Sequence, residues 1–403
     1  MKQAELWKTS KYELSPDNSL EFKVNSGGAV HEGYFFPNPY TETKQSHINS
    51  HLQYNQSWSD HEFRGGLAWQ YRRFKYAQSF LFLRGEDIIA NHRHSVPGVF
   101  AENSFVFFDD KLTIMPGIRL DNHSEFGSYL TPRLLTRLDH QEWSFQVIGG
   151  QANRVPFPQA EYEHVYGSSN KIYFDDNIKM EEAIDIGLSV SHTFNRDNKP
   201  LFDWKVEAHR TYFQNQLRAQ YDKTIYHAVH ISNNDQSSIN HHLQAQATWH
   251  ITPNSFLTGA YVFHDNFARD GEDAIRRDHN LNKHKFLLSG SVRFYDNKWQ
   301  ADANIHVYAD HIQPNLEAMP DKLADPLKVD DYFTSNLQLM RRFDNFDIYA
   351  GIENLNDFVI KESVIDGFFS EEGIDYYIFD PNHALGPTLG RTFYLGVNWT
   401  PFQ

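Results

Sequence analysis

Histidines are the residues of this sequence whose number and spacing could support ligand chemistry most directly. The chain has 22 of them among 403 residues. Neighbouring residues of a strand point to opposite faces, so His241 and His242 are not expected to share an ion, whereas His92 and His94 would lie on one face. Imidazole is the commonest metal ligand, but two ligands do not make a site. We therefore predict no metal site and assign His92 and His94 to ligand contact.

Paired acids are the second kind of candidate. Asp175 with Asp176, Asp330 with Asp331, and Glu371 with Glu372 lack the twelve-residue spacing of a calcium loop, so solvated surface charge is the better interpretation. Nothing in the sequence places a nucleophile, a base and an orienting group together. The chain has no cysteine, which excludes thiol catalysis and disulfides. We predict that the protein is not an enzyme and has no cofactor.

Aromatic residues in long polar connections are the stronger candidates for ligand contacts. Exposed aromatic clusters often form recognition surfaces. The alternative is that these side chains pack the connections on one another or form a girdle at a membrane interface. The predicted ligand-binding set, aromatics and histidines together, is Tyr34, Phe35, Phe36, His92, His94, Phe157, Tyr162, Tyr166, Tyr376 and Tyr377.

The elements that must position these residues are alternating strands. In the last stretch, residues 390–403, Phe393, Leu395, Val397 and Trp399 alternate with small or polar residues, so one face is apolar and the other polar. The same alternation recurs over residues 112–121, 184–191 and 299–308. About nine alternating residues suit a tilted transmembrane strand with its apolar face toward lipid.

The connections between strands fall into two classes. Short Asn-, Asp- and Pro-containing clusters, such as residues 15–18 and 196–198, suit tight turns. Long connections alternate with them, and we place these at residues 26–40, 83–97, 155–181, 217–236, 267–284, 313–331 and 358–389. Short turns at one rim and long loops at the other are typical of outer-membrane barrels. We predict an all-β, antiparallel, up-and-down transmembrane barrel with about seventeen strands.

Composition agrees with a β-barrel and excludes other classes. Aromatic residues make up 15% of the chain, yet the mean hydropathy is −0.62, and no apolar run is long enough to form a transmembrane helix. The net charge of −15 argues against a nucleic-acid partner. Met1–Leu14 contains no apolar export core, so we expect the true start of an exported protein to lie upstream.

Several segments resemble the TonB-dependent outer-membrane receptors. The residues that carry the resemblance are Gly390–Phe393 before Leu395 and Val397, Gly351–Asp357, Gly117–Asp121 followed by Thr131–Leu134, and Arg154–Val155 with Glu181–Ala183. His94–Phe100, Phe379–Asn382 and Gly386–Pro387 are similar to features of the Bacteroidota receptors labelled for siderophores, colicins or cobalamin. The terminal phase differs, because Pro401 stands where the family usually has an aromatic residue and Phe402 is one position late.

The resemblance implies more than the strands alone. Family members have a plug domain inside a 22-stranded barrel, so residues 1–403 would form only the C-terminal barrel part, without the plug and about five strands. An odd strand number supports this, since bacterial single-chain barrels have even numbers. The implied location is the bacterial outer membrane. The implied partners are outer-membrane lipid, a small-molecule nutrient, and TonB through the missing plug only, and the barrel would be a monomer.

The expected function follows from this resemblance. It is TonB-dependent uptake of a scarce, bulky nutrient such as a siderophore or another metal chelate, by non-covalent binding and transport. The alternative is a self-standing porin or structural barrel without a plug. The predicted inward-facing cations could attract an anionic ligand, but internal ion pairs are the expected role of enclosed charges. These cations are Arg119, Arg133, Arg137, Lys205 and Arg293.

Overall fold

The computed structural model describes residues 2–34, 40–79, 88–162, 165, 168, 170–221, 228–234, 236–270, 274–277, 282–311, 330–360, 365–371, 374–380 and 386–399. The strands of the main sheet are β1 (Lys2–Ser15), β2 (Asn18–Tyr34), β3 (Tyr40–Trp58), β4 (His61–Ser79), β5 (Ile88–Phe107), β6 (Leu112–His123), β7 (Gly127–His140), β8 (Trp143–Arg154), β10 (Glu181–Arg196), β11 (Lys199–Phe213), β14 (Ser238–Thr252), β15 (Ser255–Asp270), β16 (Ala274–Arg277), β17 (Asn282–Phe294), β18 (Trp299–His311), β19 (Tyr332–Arg342), β20 (Phe346–Glu353) and β23 (Thr392–Trp399).

Outside the main sheet lie β9 (Lys171–Phe174), β12 (Leu217–Tyr221), β13 (Ala228–Asn233), β21 (Ile365–Glu371), β22 (Ile374–Asp380) and the one-turn helix α1 (Pro158–Glu161). No helix within the described ranges has the length and apolar character to cross a bilayer.

The main sheet is antiparallel, and its strands follow one another along the chain. It contains 18 strands in the described residues, of which β16 is a short strand against the end of β15. Seventeen long strands remain, which confirms the predicted number and fold class. Where a long connection intervenes, the next long strand still pairs with the previous one, as β8 does with β10 and β20 with β23. Among the described residues, β1 pairs only with β2, and β23 only with β20.

Tight turns join the strands at one rim, as their sequences predict. Asp109, Asp110, Asp197, Asn198 and Asn297 all have positive φ values between 53° and 65°. Asp and Asn tolerate this left-handed region better than most residues do. The local sequence therefore fixes the hairpins, and the hairpins fix the register of the long ladders.

The sheet has one apolar and one polar face, in the predicted alternation. Ile186 and Leu188 are 59% and 54% exposed, and Phe393 to Trp399 in β23 continue the exposed apolar face. On the other face, cations pair with nearby acids: Arg119 with Asp121 at 2.6 Å, Arg137 with Asp139 at 2.8 Å, Lys205 with Glu207 at 2.7 Å, and Arg133 with Glu102. Arg293 instead donates to Gln300 at 3.2 Å. The predicted structural role of the cations is confirmed for the four that form ion pairs.

The strands extend further than we predicted at the rim with the long connections. Residues 88–97 and much of 26–40 were predicted as loop but belong to β5 and to β2 and β3. Ladder bonds continue to Gln78 and Ile88 between β4 and β5, because polar residues outside a membrane can still pair as strands. His92 and His94 therefore lie on a strand rather than in a loop. Pro401 and Phe402, whose phase differs from the family pattern, lie outside the described residues.

The described residues within 155–180 and 214–237 form a small structure of their own, which we call the rim subdomain. It contains α1 and a three-stranded sheet in which β13 pairs antiparallel with β12 and parallel with β9. Val165, Leu217, Val229 and Ile231 form its buried core. Ile172 and Phe174 contact this core and also a second cluster on β4 and β5, formed by Phe74, Tyr76 and Ala90. The rim subdomain is thus packed onto the polar side of the sheet.

Candidate ligand-binding site

Pairing between β5 and β6 brings the predicted histidines to a hairpin end. Gly98 lies opposite Asp121, and the ladder is prolonged because Ser124 N donates to Ser95 O at 3.0 Å. His92 and His94 share one face of β5, and His123 follows Asp121 on the same face of β6. His94 and His123 are both only 3% exposed. The register of two strands therefore assembles a histidine cluster from residues 29 positions apart.

The cluster lies beyond the apolar band of the sheet. On the outward face of β4, exposed Leu67 is followed by Trp69 and Tyr71, whose rings stack at 6.2 Å, and then by the cations Arg73 and Lys75. Aromatic girdles mark the interface between hydrocarbon and water in membrane barrels. His94 pairs in register with Arg72, beyond Tyr71. The cluster is therefore placed outside the hydrocarbon, on the side of the long connections.

Hydrogen bonds fix which ring nitrogen of each histidine carries a proton. His123 Nδ1 accepts from the backbone N–H groups of Glu125 at 3.1 Å and Phe126 at 3.2 Å, so the proton of neutral His123 must be on Nε2. His123 Nε2 lies 2.8 Å from His94 Nδ1 and donates to it. His94 consequently carries its own proton on Nε2.

Two ring nitrogens of the cluster are buried without a partner. Among the described residues, neither His92 Nε2 nor His94 Nε2 has a hydrogen-bond partner. Unpartnered buried polar groups are costly. Phe157 of the rim subdomain meets both rings edge-on, with centroid distances of 6.0 Å to His92 and 5.3 Å to His94. The arrangement is suited to donate the His94 N–H to an acceptor atom of a ligand.

A cavity of about 520 Å³ adjoins this cluster. Arg72, Phe74, Phe157 and Glu161 are among its lining residues. Phe157 is held in place because its N–H donates to Glu161 Oε1 at 2.8 Å and its ring packs on Phe74 at 5.2 Å. The cavity combines an apolar wall with charged groups, as ligand sites commonly do.

The same cluster contains the side chains that could hold a metal ion. His92, His94 and Glu125 each offer a donor atom, and these atoms lie within 4.8 Å of one another. Glu125 Oε2 is 3.7 Å from His94 Nδ1, but that nitrogen already accepts the proton of His123. An ion bound at His94 Nδ1 would have to displace this hydrogen bond. The absence of a resident metal stays a prediction.

Burial favours the neutral form of His94 and His123. Desolvation lowers the pKa of His94 to about 4, with nearby His123 as the second cause. Desolvation also lowers the pKa of His123, while the carboxylate of Glu125 partly opposes that effect. At neutral pH both imidazoles therefore have one N–H and one acceptor nitrogen, as the hydrogen-bond directions require.

We expect acid to break the bonds at His123. Its pKa is lowered in the folded protein, so the unfolded chain, with an ordinary histidine pKa of about 6.5, takes up the proton first as pH falls. The neutral His123 ring therefore contributes its full share to the free energy of unfolding above about pH 6.5, and this contribution is lost as the pH falls below that value.

Protonation of His123 Nδ1 removes both hydrogen bonds from the Glu125 and Phe126 amides. Hydrogen exchange should show their protection factors falling below about pH 6.5, while ladder amides between β6 and β7 stay protected; unchanged protection would contradict this.

The remaining predicted residues are placed as follows. Tyr34 ends β2, and Tyr376 and Tyr377 lie on β22, opposite Phe369 and Phe368, but their side chains lie outside what is described. Phe35, Phe36 and Tyr166 lie outside the described residues. Of the ten predicted residues, the structure brings His92, His94 and Phe157 together.

Tyr162 is committed to packing within the rim subdomain. Its hydroxyl donates to Leu217 O at 2.9 Å, its ring packs on the buried core, and burial raises its pKa to about 12. This placement favours the packing alternative for Tyr162. We expect Tyr162→Phe to destabilise the rim subdomain by about 1 kcal/mol, the usual net value of a hydrogen bond. Limited proteolysis of the rim subdomain would measure it, with exposed Tyr173→Phe as the control; equal sensitivity of both variants would contradict it.

His123 and Glu125 belong to the cluster but were missed from the sequence. They lie next to a short connection on the loop-rich rim, residues 124–126 between β6 and β7. A correct register between β5 and β6 would have placed His123 beside His94. Their spacing of two residues at a predicted hairpin end was the available signal.

Comparison with known families identifies the sheet. The family model described as "TonB dependent receptor-like, beta-barrel" matches residues 4–355. Among curated proteins, none matches this sequence.

Solved structures share the fold at low sequence identity. The "Copper transporter OprC" superimposes with a TM-score of 0.71 at 13% identity, over 98% of this chain and 65% of that one. A mutant ferric enterobactin receptor from Pseudomonas aeruginosa, in complex with enterobactin, gives 0.68 at 15% identity, over 98% and 62%. The siderophore receptor PirA from Acinetobacter baumannii gives 0.64 at 13%, over 98% and 62%. The chain thus spans less than two thirds of the length of these structures.

Proposed function

The chain belongs to the TonB-dependent receptor β-barrel family, and we propose that it takes part in the uptake of a scarce, bulky nutrient, a siderophore or another metal chelate. The family is one of bacterial outer-membrane transport proteins and not of enzymes, so the exposed apolar face of the sheet has outer-membrane lipid as its surroundings. Binding to the nutrient would be non-covalent.

In this proposal residues 1–403 form the C-terminal part of a receptor barrel. The plug and the first strands would lie outside this sequence, and TonB would act through that plug. The coverage of the solved receptors, between 57% and 65% of their chains, supports this division. The motif likeness of His94–Phe100 and Phe379–Asn382 further supports a Bacteroidota-type receptor.

The observation that carries the ligand proposal is the pair of buried, unpartnered nitrogens of His92 and His94. Siderophores and related chelates surround their metal with oxygen atoms, which are hydrogen-bond acceptors. The His94 Nε2–H can donate to such an oxygen, and Phe157 supplies an apolar wall beside it. Distant structural similarity to copper, ferric enterobactin and siderophore receptors agrees with this class of nutrient.

Binding of ferric chelates to the purified protein in detergent tests the proposal. A panel of ferric catecholates, hydroxamates and carboxylates would be titrated by tryptophan fluorescence. We expect at least one chelate to bind, and the double variant His92→Ala with His94→Ala to weaken it by about tenfold to a hundredfold, the value of one or two hydrogen bonds.

The matched control is His241→Ala with His242→Ala on β14, six strands from β5 along the sheet. It should bind the chelate as the unaltered protein does. Binding of no chelate, or equal binding by both double variants, would contradict the proposal. A different result would identify a metal site instead. In that case bare zinc or copper ions would bind, this binding would be lost in the variant of His92 and His94, and no chelate would bind.

A further inference from the structure

The outward face at the external ends of β3, β4 and β5 carries an unusual concentration of positive charge, which we call the basic rim patch. It consists of Lys44, Arg73, Lys75 and Arg93. The register places Lys44 directly opposite Lys75, and Arg73 directly opposite Arg93. Like charges directly opposite each other destabilise a sheet, and the whole chain has a net charge of −15. Binding of an anion would relieve this repulsion.

The protein itself supplies little compensation. Lys44 forms an ion pair with Glu42 at 2.7 Å. Within the ranges that the structure describes, no salt bridge reaches Arg73, Lys75 or Arg93, and Arg73 Nε is buried without a hydrogen-bond partner. The outward acids Glu32 and Glu42 lie opposite each other, one step further from the membrane than Lys44. At least three cations of the patch are thus left for an external ligand.

A groove gives the patch a shape that can hold a ligand. It has a volume of about 480 Å³ and runs across the ends of β1 to β4. Lys2, Lys44, Arg73 and Lys75 are among the residues that line it. Its floor is formed by small residues, Ala4, Gly28 and Ser46, which occupy successive positions across β1, β2 and β3. Four cations therefore surround a depression that side chains leave open.

The position of the groove relative to the membrane surface indicates the kind of ligand. Arg73 lies two residues beyond Tyr71, a rise of about 7 Å along an extended strand. Tyr71 and Trp69 form the aromatic girdle on the lipid-facing side, and the step beyond such a girdle is the level of lipid headgroups. Arginine binds phosphate through paired N–H donors, and lysine through its compact charge.

We propose that the basic rim patch binds the phosphate groups of a phosphorylated lipid in the outer leaflet of the outer membrane. The lipid phosphate would lie in the groove between Lys44, Arg73 and Lys75, with Arg93 beside it, while the acyl chains follow the apolar face below Trp69. The histidine cluster lies on the opposite face of the sheet, although the groove and the cavity beside that cluster share Gln45, Ser46 and Arg73 among their lining residues. Lipid binding in the groove does not require the nutrient.

The test measures retention of a phosphorylated lipid by the purified, folded protein. Detergent micelles containing lipid A, which bears phosphate groups, would be titrated and compared with micelles containing phosphatidylcholine, with bound lipid counted by native mass spectrometry. We expect lipid A to be retained and Arg73→Gln, Lys75→Gln and Arg93→Gln together to weaken it by about a hundredfold, since each cation near an anionic surface contributes about a factor of five.

Two further variants separate the site from general charge effects. Lys111→Gln, Arg196→Gln and Lys298→Gln remove the same charge at the exposed turns of the other rim and should leave retention unchanged. Ser46→Phe keeps every charge but fills the floor of the groove, and it should weaken retention. Each variant would first be checked for the heat-dependent gel mobility of a folded barrel.

Three outcomes would overturn the proposal. The first is an equal loss of lipid retention in the two triple variants. The second is full retention both by Ser46→Phe and by the triple variant of Arg73, Lys75 and Arg93. The third is displacement of the lipid by inorganic phosphate alone, which would indicate a simple anion site. Failure of chelates to bind would not affect this result, because the lipid titration contains no chelate.

Discussion

Leu188→Arg is expected to destabilise the folded sheet in a lipid bilayer by about 2–4 kcal/mol, the value for a cation near the middle of the hydrocarbon. Leu188 lies in the middle of the outward apolar series of β10, between Ile184 near one end and Phe194 near the other. Its cross-strand neighbours are Val147 on β8 and Ala208 on β11. An arginine there would have apolar side chains directly opposite it, and the outward-facing Arg210 opposite Ile186 carries a like charge.

The adjacent residue supplies the matched control. Ser189 faces the polar side, opposite Gln146 and Glu207, where an arginine can pair with the carboxylate. Ser189→Arg should therefore change stability little. Equilibrium urea unfolding in phospholipid vesicles would compare the two variants. If Ser189→Arg cost as much as Leu188→Arg, or if neither cost anything, the assignment of the exposed apolar face to lipid would be wrong.

The alternation that makes this prediction possible could be recognised from the sequence alone. Ile184, Ile186 and Leu188 alternate with Asp185, Gly187 and Ser189, and the turn at Asp197 and Asn198 fixes where the strand ends. Period and turn chemistry are local properties, so they predicted the fold class and the strand number. The same information could not determine how far β5 continues beyond the membrane, because polar residues there obey no alternation.

The candidate site was only partly predictable for a related reason. His92 and His94 could be assigned to one face, since spacing along a strand decides that. Their contact with His123 depends on the register of β5 against β6, and their contact with Phe157 depends on how the rim subdomain packs. Both contacts depend on tertiary packing between segments that are far apart in the sequence. The packing role of Tyr162 could not be predicted either, because its hydroxyl contacts Leu217, 55 positions away in the sequence.

Ile231→Asp is expected to unfold the rim subdomain while leaving the main sheet intact. Ile231 is fully buried in the core with Val165, Leu217 and Val229. An unpaired carboxylate in that core would cost about 3–5 kcal/mol, the penalty of leaving an uncompensated charge buried. The main sheet keeps all its ladder bonds, so opening should be local. Proteolysis should cut between residues 155 and 235, while heat-dependent gel mobility still reports a folded barrel.

The consequence for ligand binding makes this variant informative about the site. Ile172 and Phe174 contact both the rim subdomain core and the cluster on β4 and β5 against which Phe157 packs. Unfolding of the core should therefore remove Phe157 from the rings of His92 and His94 and abolish chelate binding, although neither histidine is changed. Tyr173→Asp on the exposed side of β9 is the control and should keep both protection and binding. Intact chelate binding in a proteolysed Ile231→Asp protein would show that the rim subdomain forms no part of the site.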